Sequence, residues 1–143
     1  MLEARPMEEL WPLIEGVIAT GGRFRLWPRG RSMRPLLREG VDSVLLGPPC
    51  DVALHDVILL REAGGRFLLH RIVALDGAGV TLSGDALLTT EGPFPRAAIL
   101  ARVECIYRGE RAHAPEDLTV RLLYRRALIQ KRLRRLWHRI TRR

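Results

Sequence analysis

The spacing of apolar runs in the middle of the chain limits the fold more than any other feature. "DSVLLG" (42–47), "DVILLRE" (56–62), "FLLHRIVAL" (67–75), "VTLSGD" (80–85) and "ILARVECIYRG" (99–109) follow one another with turn residues between them and no helical segment. Runs of this kind, rich in valine, isoleucine and leucine and bounded by glycine, proline or aspartate, read as strands. "EAGGR" joins the second run to the third as a tight hairpin, and "DGAG" joins the third to the fourth. Upstream, "RFRLWP" alternates Phe24 and Leu26 with arginine, as a half-buried strand does, and "EGPFPRA" reads as a proline-rich loop. Parallel strands would need crossover helices, and none stands here. The spacing therefore predicts an antiparallel β domain over residues 23–110.

Both ends read as helix. In residues 7–19, Leu10, Leu13, Ile14, Val17 and Ile18 share a face, and Gly21 and Gly22 supply a stop, so residues 1–22 form an N-terminal helical segment. From Asp117 onward Leu122, Ile129, Leu133, Leu136 and Ile140 line one side and arginines fill the rest. Residues 116–143 are expected to be a basic amphipathic C-terminal helix. A chain of 143 residues is long enough to bury one sizeable core.

Net charge is +8, and its placement decides what it means. Residues 118–143 hold ten basic and no acidic residues; residues 1–117 hold fourteen basic and sixteen acidic ones. A body at −2 carrying a tail at +10 is not the pattern of a nucleic-acid-binding domain, so no specific nucleic acid is expected as partner, and only the tail should seek anionic surfaces. Glu3, Glu8 and Glu9 precede the first apolar run, which argues against a secretion signal. "LWPLIEGVIATGG" is too short to span a bilayer and is interrupted by Glu15. Cys50 and Cys105 have no metal-ligand spacing around them and read as reduced thiols of a cytoplasmic protein, a single disulfide between them being the alternative, with no metal or cofactor expected.

Chemistry concentrates on four places. "GRSMRP" (30–35) sets Ser32 after a glycine and ahead of "MRPLLRE", a short stretch that reads as a helix stopped by Gly40, with Ser32 as its N-cap. Such a serine sits beside unsatisfied backbone N–H groups that can bind an oxyanion. The simpler reading is a capping residue and nothing more. A serine nucleophile needs a base. Lys131, the single lysine, lies among arginines and is expected to be solvated and protonated, whereas His70 is flanked by apolar residues in the middle of "FLLHRIV". A half-buried imidazole near its ordinary pKa is largely neutral at pH 7 and can accept a proton; the simpler reading is a core histidine bonded to a carbonyl. His55, at a turn, His113, in a loop, and His138, in the tail, are weaker candidates. Asp85 in "SGD" and Glu91, six residues on, are the carboxylates that could orient His70.

Taken together, "GRSMRPLLREG", "HDVILL", "LLHRIV", "LSGDAL" and "ILARV" resemble, in order and spacing, the signal peptidase I-like serine peptidases, a superfamily shared with the self-cleaving SOS-response repressors. The resemblance covers roughly residues 24–108 and points to the branch with a Ser-His pair. It implies a curved antiparallel β fold, Ser32 as nucleophile and His70 as general base. It further implies Asp85 as conformational support, Glu91 as a third catalytic member, Gly30 beside the oxyanion hole and Met33 near the substrate pocket. The substrate would add as an extended strand beside the site. Three departures stand out: Val41 is inserted in "GVDS", His55 stands where a turn glycine is expected, and no transmembrane anchor precedes the serine.

The implied activity is cleavage of a peptide or protein precursor by a serine endopeptidase, soluble or held at a membrane surface. The alternatives are a self-cleaving regulator, for which "ATGG" (19–22) is the nearest scissile segment, and a peptide-binding module that keeps the fold without the chemistry. For the tail, Arg121 to Arg143, the readings are attachment to an anionic membrane surface, docking on a partner protein, non-specific and salt-dependent nucleic-acid contact, or simple packing on the β domain with arginines outward.

Overall fold

The computed structural model describes residues 5–142; residues 1–4 of the N-terminal segment and Arg143 of the tail lie outside them. The element order is α1 (Met7–Ala19), β1 (Phe24–Leu26), β2 (Ser43–Gly47), β3 (Val57–Arg61), β4 (Phe67–Asp76), β5 (Gly79–Ser83), β6 (Glu91–Phe94), β7 (Ile99–Arg108), β8 (Arg111–His113) and α2 (Leu118–Thr141). All strand pairs are antiparallel, in one sheet of order β1-β2-β7-β3-β4-β5-β6, with β8 paired to β7. The chain is thus mainly antiparallel β with a helix at each end, as the spacing predicts.

Register shifts interrupt four of the pairings, between Leu45 and Leu46, Leu59 and Leu60, Ile72 and Ala74, and Val80 and Leu82. Irregularities of this kind bend a strand and increase its twist. Apolar side chains collect in two clusters. The larger joins Ile14 of α1, Met33, Leu36 and Leu37 of the β1–β2 connection, Val44, Leu46, Val103 and Ile106 of the sheet, and Val120 of α2. The smaller holds Ile58, Leu60, Leu68, Ile72, Val80, Leu82 and Ile99.

Two strands depart from the reading of the sequence. β6 lies inside the proline-rich loop, where Pro93 is tolerated because β6 is the sheet's outermost strand and one of its edges needs no N–H donors. β8 turns His113 from a loop residue into a strand residue paired with Ile106. In α1, Leu13 faces solvent while Ile14 is fully buried, so the helix packs through a narrower stripe than its sequence suggests.

α2 differs most. The apolar stripe named from the sequence is its outer face: Leu122, Ile129, Leu133, Leu136 and Ile140 are all exposed. The face against the body carries Val120, Ala127 and Lys131, which are buried, with Leu123 beside them. The expectation of a solvated Lys131 is therefore wrong. Val120, Ala127 and Lys131 fall seven and four residues apart, one side of an α-helix, and that side meets the end of β5 and the loop after it.

Candidate functional site

Ser32 sits on the connection between β1 and β2. Gly30 has φ +88, a left-handed conformation that side chains rarely adopt, and a Cβ there would meet nothing. Backbone geometry, not space, calls for glycine at that point. Beyond it the chain makes a series of turns, with Arg34 N–H donating to Arg31 O at 3.2 Å and Leu37 N–H to Met33 O at 3.0 Å. The helix expected over "MRPLLRE" does not form. Pro35 has no N–H to give, and the residue before a proline is disfavoured in helical geometry. Ser32 is accordingly not a helix N-cap, and no helix start supplies an oxyanion site beside it. Met33, Leu36 and Leu37 anchor the turn in the larger core instead, leaving Ser32 half-buried.

A second segment braces this turn. Ala86 N–H donates to Ser32 O at 2.9 Å, and Asp85 N–H reaches Met33 Sδ at 3.5 Å. A Cβ on Gly84 would lie 2.6 Å from Ser32 O, inside contact distance. The glycine of "SGD" is thus where the two backbones touch. Met33, assigned by resemblance to the substrate pocket, is 4% exposed and packs in the core behind the serine.

His70 is at the middle of β4, opposite Ile58 of β3, and is 7% exposed. Its Nε2 lies 3.1 Å from Ser32 Oγ, across thirty-eight residues of sequence. For Nε2 to accept the hydroxyl proton, the ring's own proton must be on Nδ1. Nδ1 is buried and has no hydrogen-bond partner among the described residues. Burial pushes the imidazole pKa below its ordinary 6.5; the charges of Arg66 and Lys131 act in the same direction, and those of Glu91 and Asp85 oppose it. The net effect keeps the ring neutral at pH 7, the form that can take a proton.

Neither candidate carboxylate is hydrogen-bonded to His70. Asp85, with a side chain 1% exposed, is held bidentately by Arg71, at 2.9 and 2.8 Å, and Arg71 also donates to His55 O at 2.9 Å and stacks on Tyr124 at 4.0 Å. Arg71 follows His70 in β4, so its side chain leaves the strand on the opposite side. This ion pair clamps the loop after β5, the same loop that braces Ser32. Glu91, at the start of β6, is paired with Arg66, which also binds Glu62. His55 has φ +78, a left-handed geometry that side chains rarely adopt.

α2 closes the far side of that loop. Lys131 Nζ donates to Ser83 Oγ at 3.0 Å, Arg134 Nη1 donates to Ala86 O, and the Tyr124 hydroxyl lies 3.4 Å from His55 Nδ1. Lys131 is 7% exposed, and burial lowers its pKa, with the charges of Arg135, Arg71 and Arg134 adding to that and Asp85 opposing it. Lys131 does not serve Ser32; its acceptor is a second serine. The sequence alone does not reveal the parts played by Ser83, Gly84, Ala86, Arg71 and Lys131. The run "SGDA" was the available signal for the first three. Searches against protein-family models, curated proteins and solved structures found no match.

Proposed function

We propose that the protein is a serine endopeptidase of the signal peptidase-like type, with Ser32 as nucleophile and His70 as general base, acting on a peptide or protein precursor. The observation that carries this reading is the 3.1 Å contact between Ser32 Oγ and His70 Nε2. Purely structural serine–histidine hydrogen bonds have the same length. Three further observations favour chemistry: the serine is half-buried, the imidazole pKa is held below 6.5, and the serine's backbone is braced from Ala86.

In this reading the Ser32 Oγ attacks the scissile carbonyl carbon as its proton passes to Nε2. The imidazolium then protonates the leaving amine as the C–N bond breaks, and the acyl ester on Ser32 is hydrolysed when Nε2 takes a proton from water and returns it to Oγ. The Ser32 backbone N–H, on the turn set by Gly30, is the donor assigned to the oxyanion. Asp85 acts through Arg71 as support for the loop, and Glu91 acts on His70 through its charge. The self-cleaving alternative draws no support from Gly21 and Gly22, whose N–H groups bond back to Ile18 O and Val17 O as a helix ending.

Attachment to an anionic membrane surface accompanies this reading. The outer stripe of α2, with Trp137 65% exposed, lies between arginines in a segment without acidic residues. No helix among the described residues is long and apolar enough to cross a membrane. The protease reading is tested by reacting the protein with a fluorophosphonate and mapping the adduct by mass spectrometry. One adduct at Ser32, lost in Ser32→Ala, is expected; labelling that persists in Ser32→Ala overturns it.

A further inference from the structure

A cleft of about 620 Å³ opens between the segment after Ser32 and the inner edge of α2. Arg34 and Pro35 form one wall, Arg126, Gln130, Lys131 and Arg134 the other, and Leu123 and Ala127 give it apolar surface. Clefts of this size hold small ligands or a few residues of a peptide. Its acidic lining residues do not balance its cations. Asp85 is committed to Arg71, and Asp42, outside the lining, takes up Arg38, which leaves Glu39 among the described lining residues as the carboxylate without an ion pair.

Lys131 is the second, independent observation. It is more than nine-tenths buried, lines the cleft, and has a neutral hydroxyl as its hydrogen-bond acceptor. No carboxylate lies within ion-pair distance of it among the described residues. Asp85, already paired with Arg71, offsets the burial of the Lys131 charge only in part, and an anion entering the cleft would offset more of it. Arg126 and Arg34, both exposed, stand at the mouth with guanidinium groups able to bind a carboxylate through paired hydrogen bonds.

We propose that this cleft is a specificity subsite for an acidic side chain of the peptide substrate, with Lys131, Arg126 and Arg34 as its carboxylate-binding groups. The inference rests on the protease reading for the word substrate, since the cleft begins two residues beyond Ser32 and shares the loop from Asp85 to Ala86 with it. A free phosphate or a lipid headgroup has related chemistry. The recess borders the nucleophile's own segment at Arg34 and Pro35 but is lined by neither Ser32 nor His70, so the occupant it fits is an acidic side chain a few residues away from the scissile bond.

The experiment uses the full chain carrying Ser32→Ala, so that binding is read without turnover. Fluorescent peptides of one length, with Glu, Gln or Lys at the varied positions, are titrated by anisotropy at about 0.05 and 0.15 M salt, where roughly tenfold tighter binding of a Glu peptide over its Gln counterpart is expected. Arg126→Glu and Arg34→Glu, exposed positions that should not disturb folding, are expected to abolish that preference, and Lys131→Met to reduce it. Equal binding of Glu and Gln peptides, or a preference that survives Arg126→Glu combined with Arg34→Glu, overturns the proposal. So does binding of inorganic phosphate or of phosphatidylglycerol vesicles that depends on the same arginines while the Glu peptide shows no preference. Fluorophosphonate labelling of the wild type separates the two claims. A labelled Ser32 with no acidic preference sinks the subsite alone; an acidic preference without labelling sinks the protease reading and leaves an anion-selective peptide cleft.

Discussion

Replacing Asp85 by alanine separates a supporting role from a catalytic one. The carboxylate accepts two hydrogen bonds from Arg71, at 2.9 and 2.8 Å, and the paired side chains are 1% and 5% exposed. Removing it leaves a guanidinium buried, still bonded to His55 O and stacked on Tyr124 but with no counter-charge. Breaking a buried pair from one side costs about 3–5 kcal/mol. For a domain of this size that corresponds to a fall in Tm of roughly 10–17 °C, and to a urea midpoint lower by about 2 M at a slope near 2 kcal/mol/M. Because the charge is the problem, Arg71→Met combined with Asp85→Leu should regain most of the loss. Urea unfolding followed by circular dichroism measures both variants. Fluorophosphonate labelling at low temperature, where Asp85→Ala remains folded, should retain most of the wild-type rate. A loss under about 1 kcal/mol together with abolished labelling would refute the reasoning and make Asp85 a partner of His70 itself.

Gly84→Ala places a methyl group where Ser32 O now lies 2.6 Å away, so the nucleophile's turn must move; roughly a tenfold or greater loss of labelling rate is expected with the protein still folded at about 25 °C, and an unchanged rate would show that the turn is not held from this loop. Asp42 is pushed up by burial but held below 3.8 overall by hydrogen bonds from Arg38 and from Gly109 N–H. Its stabilising contribution is present above pH 3.8 and lost as pH falls through the lower folded value, so Asp42→Asn should flatten the acid limb of a stability–pH curve, and an unaltered limb would contradict this. The full chain should pellet with phosphatidylglycerol vesicles and not with phosphatidylcholine ones, and Leu133→Glu with Trp137→Glu should abolish pelleting; vesicle binding unaffected by these changes would remove the outer stripe of α2 from the account.

What could be read in the chain, and what could not, divides along physical lines. Six of the eight strands were legible because turn residues bracket their apolar runs, and α1 and α2 because their periodicity is helical; β6 and β8 were not, having no apolar run of their own. Ser32 and His70 were legible through the resemblance of the runs around them to the signal peptidase-like peptidases; alone, a serine two residues past a glycine and a histidine between apolar neighbours read as a cap and a core residue. The orientation of α2 was not. Periodicity shows which face of a helix is apolar, not which face is buried, and here Val120, Ala127 and the stem of Lys131 win the inner side because that face fits the loop at Ser83 and Ala86. The helix after Ser32 was misread because the propensities of "MRPLLRE" outweighed the single proline that prevents it. The partners of Asp85 and Glu91 were invisible because they depend on which arginines the sheet register brings alongside, and every basic residue but Lys131 is an arginine.

The claim on which the account depends is that a neutral His70 removes the proton from Ser32. It is tested most directly by the pH dependence of Ser32 fluorophosphonylation in the wild type and in His70→Ala. Burial lowers the imidazole pKa, so the acid limb of the wild-type rate should have its midpoint below pH 6.5 and the rate should level off by about pH 8, while His70→Ala should react roughly a hundredfold or more slowly with no such inflection. A wild-type rate that keeps climbing through about pH 8, or a His70→Ala variant that labels as fast as the parent, would contradict it.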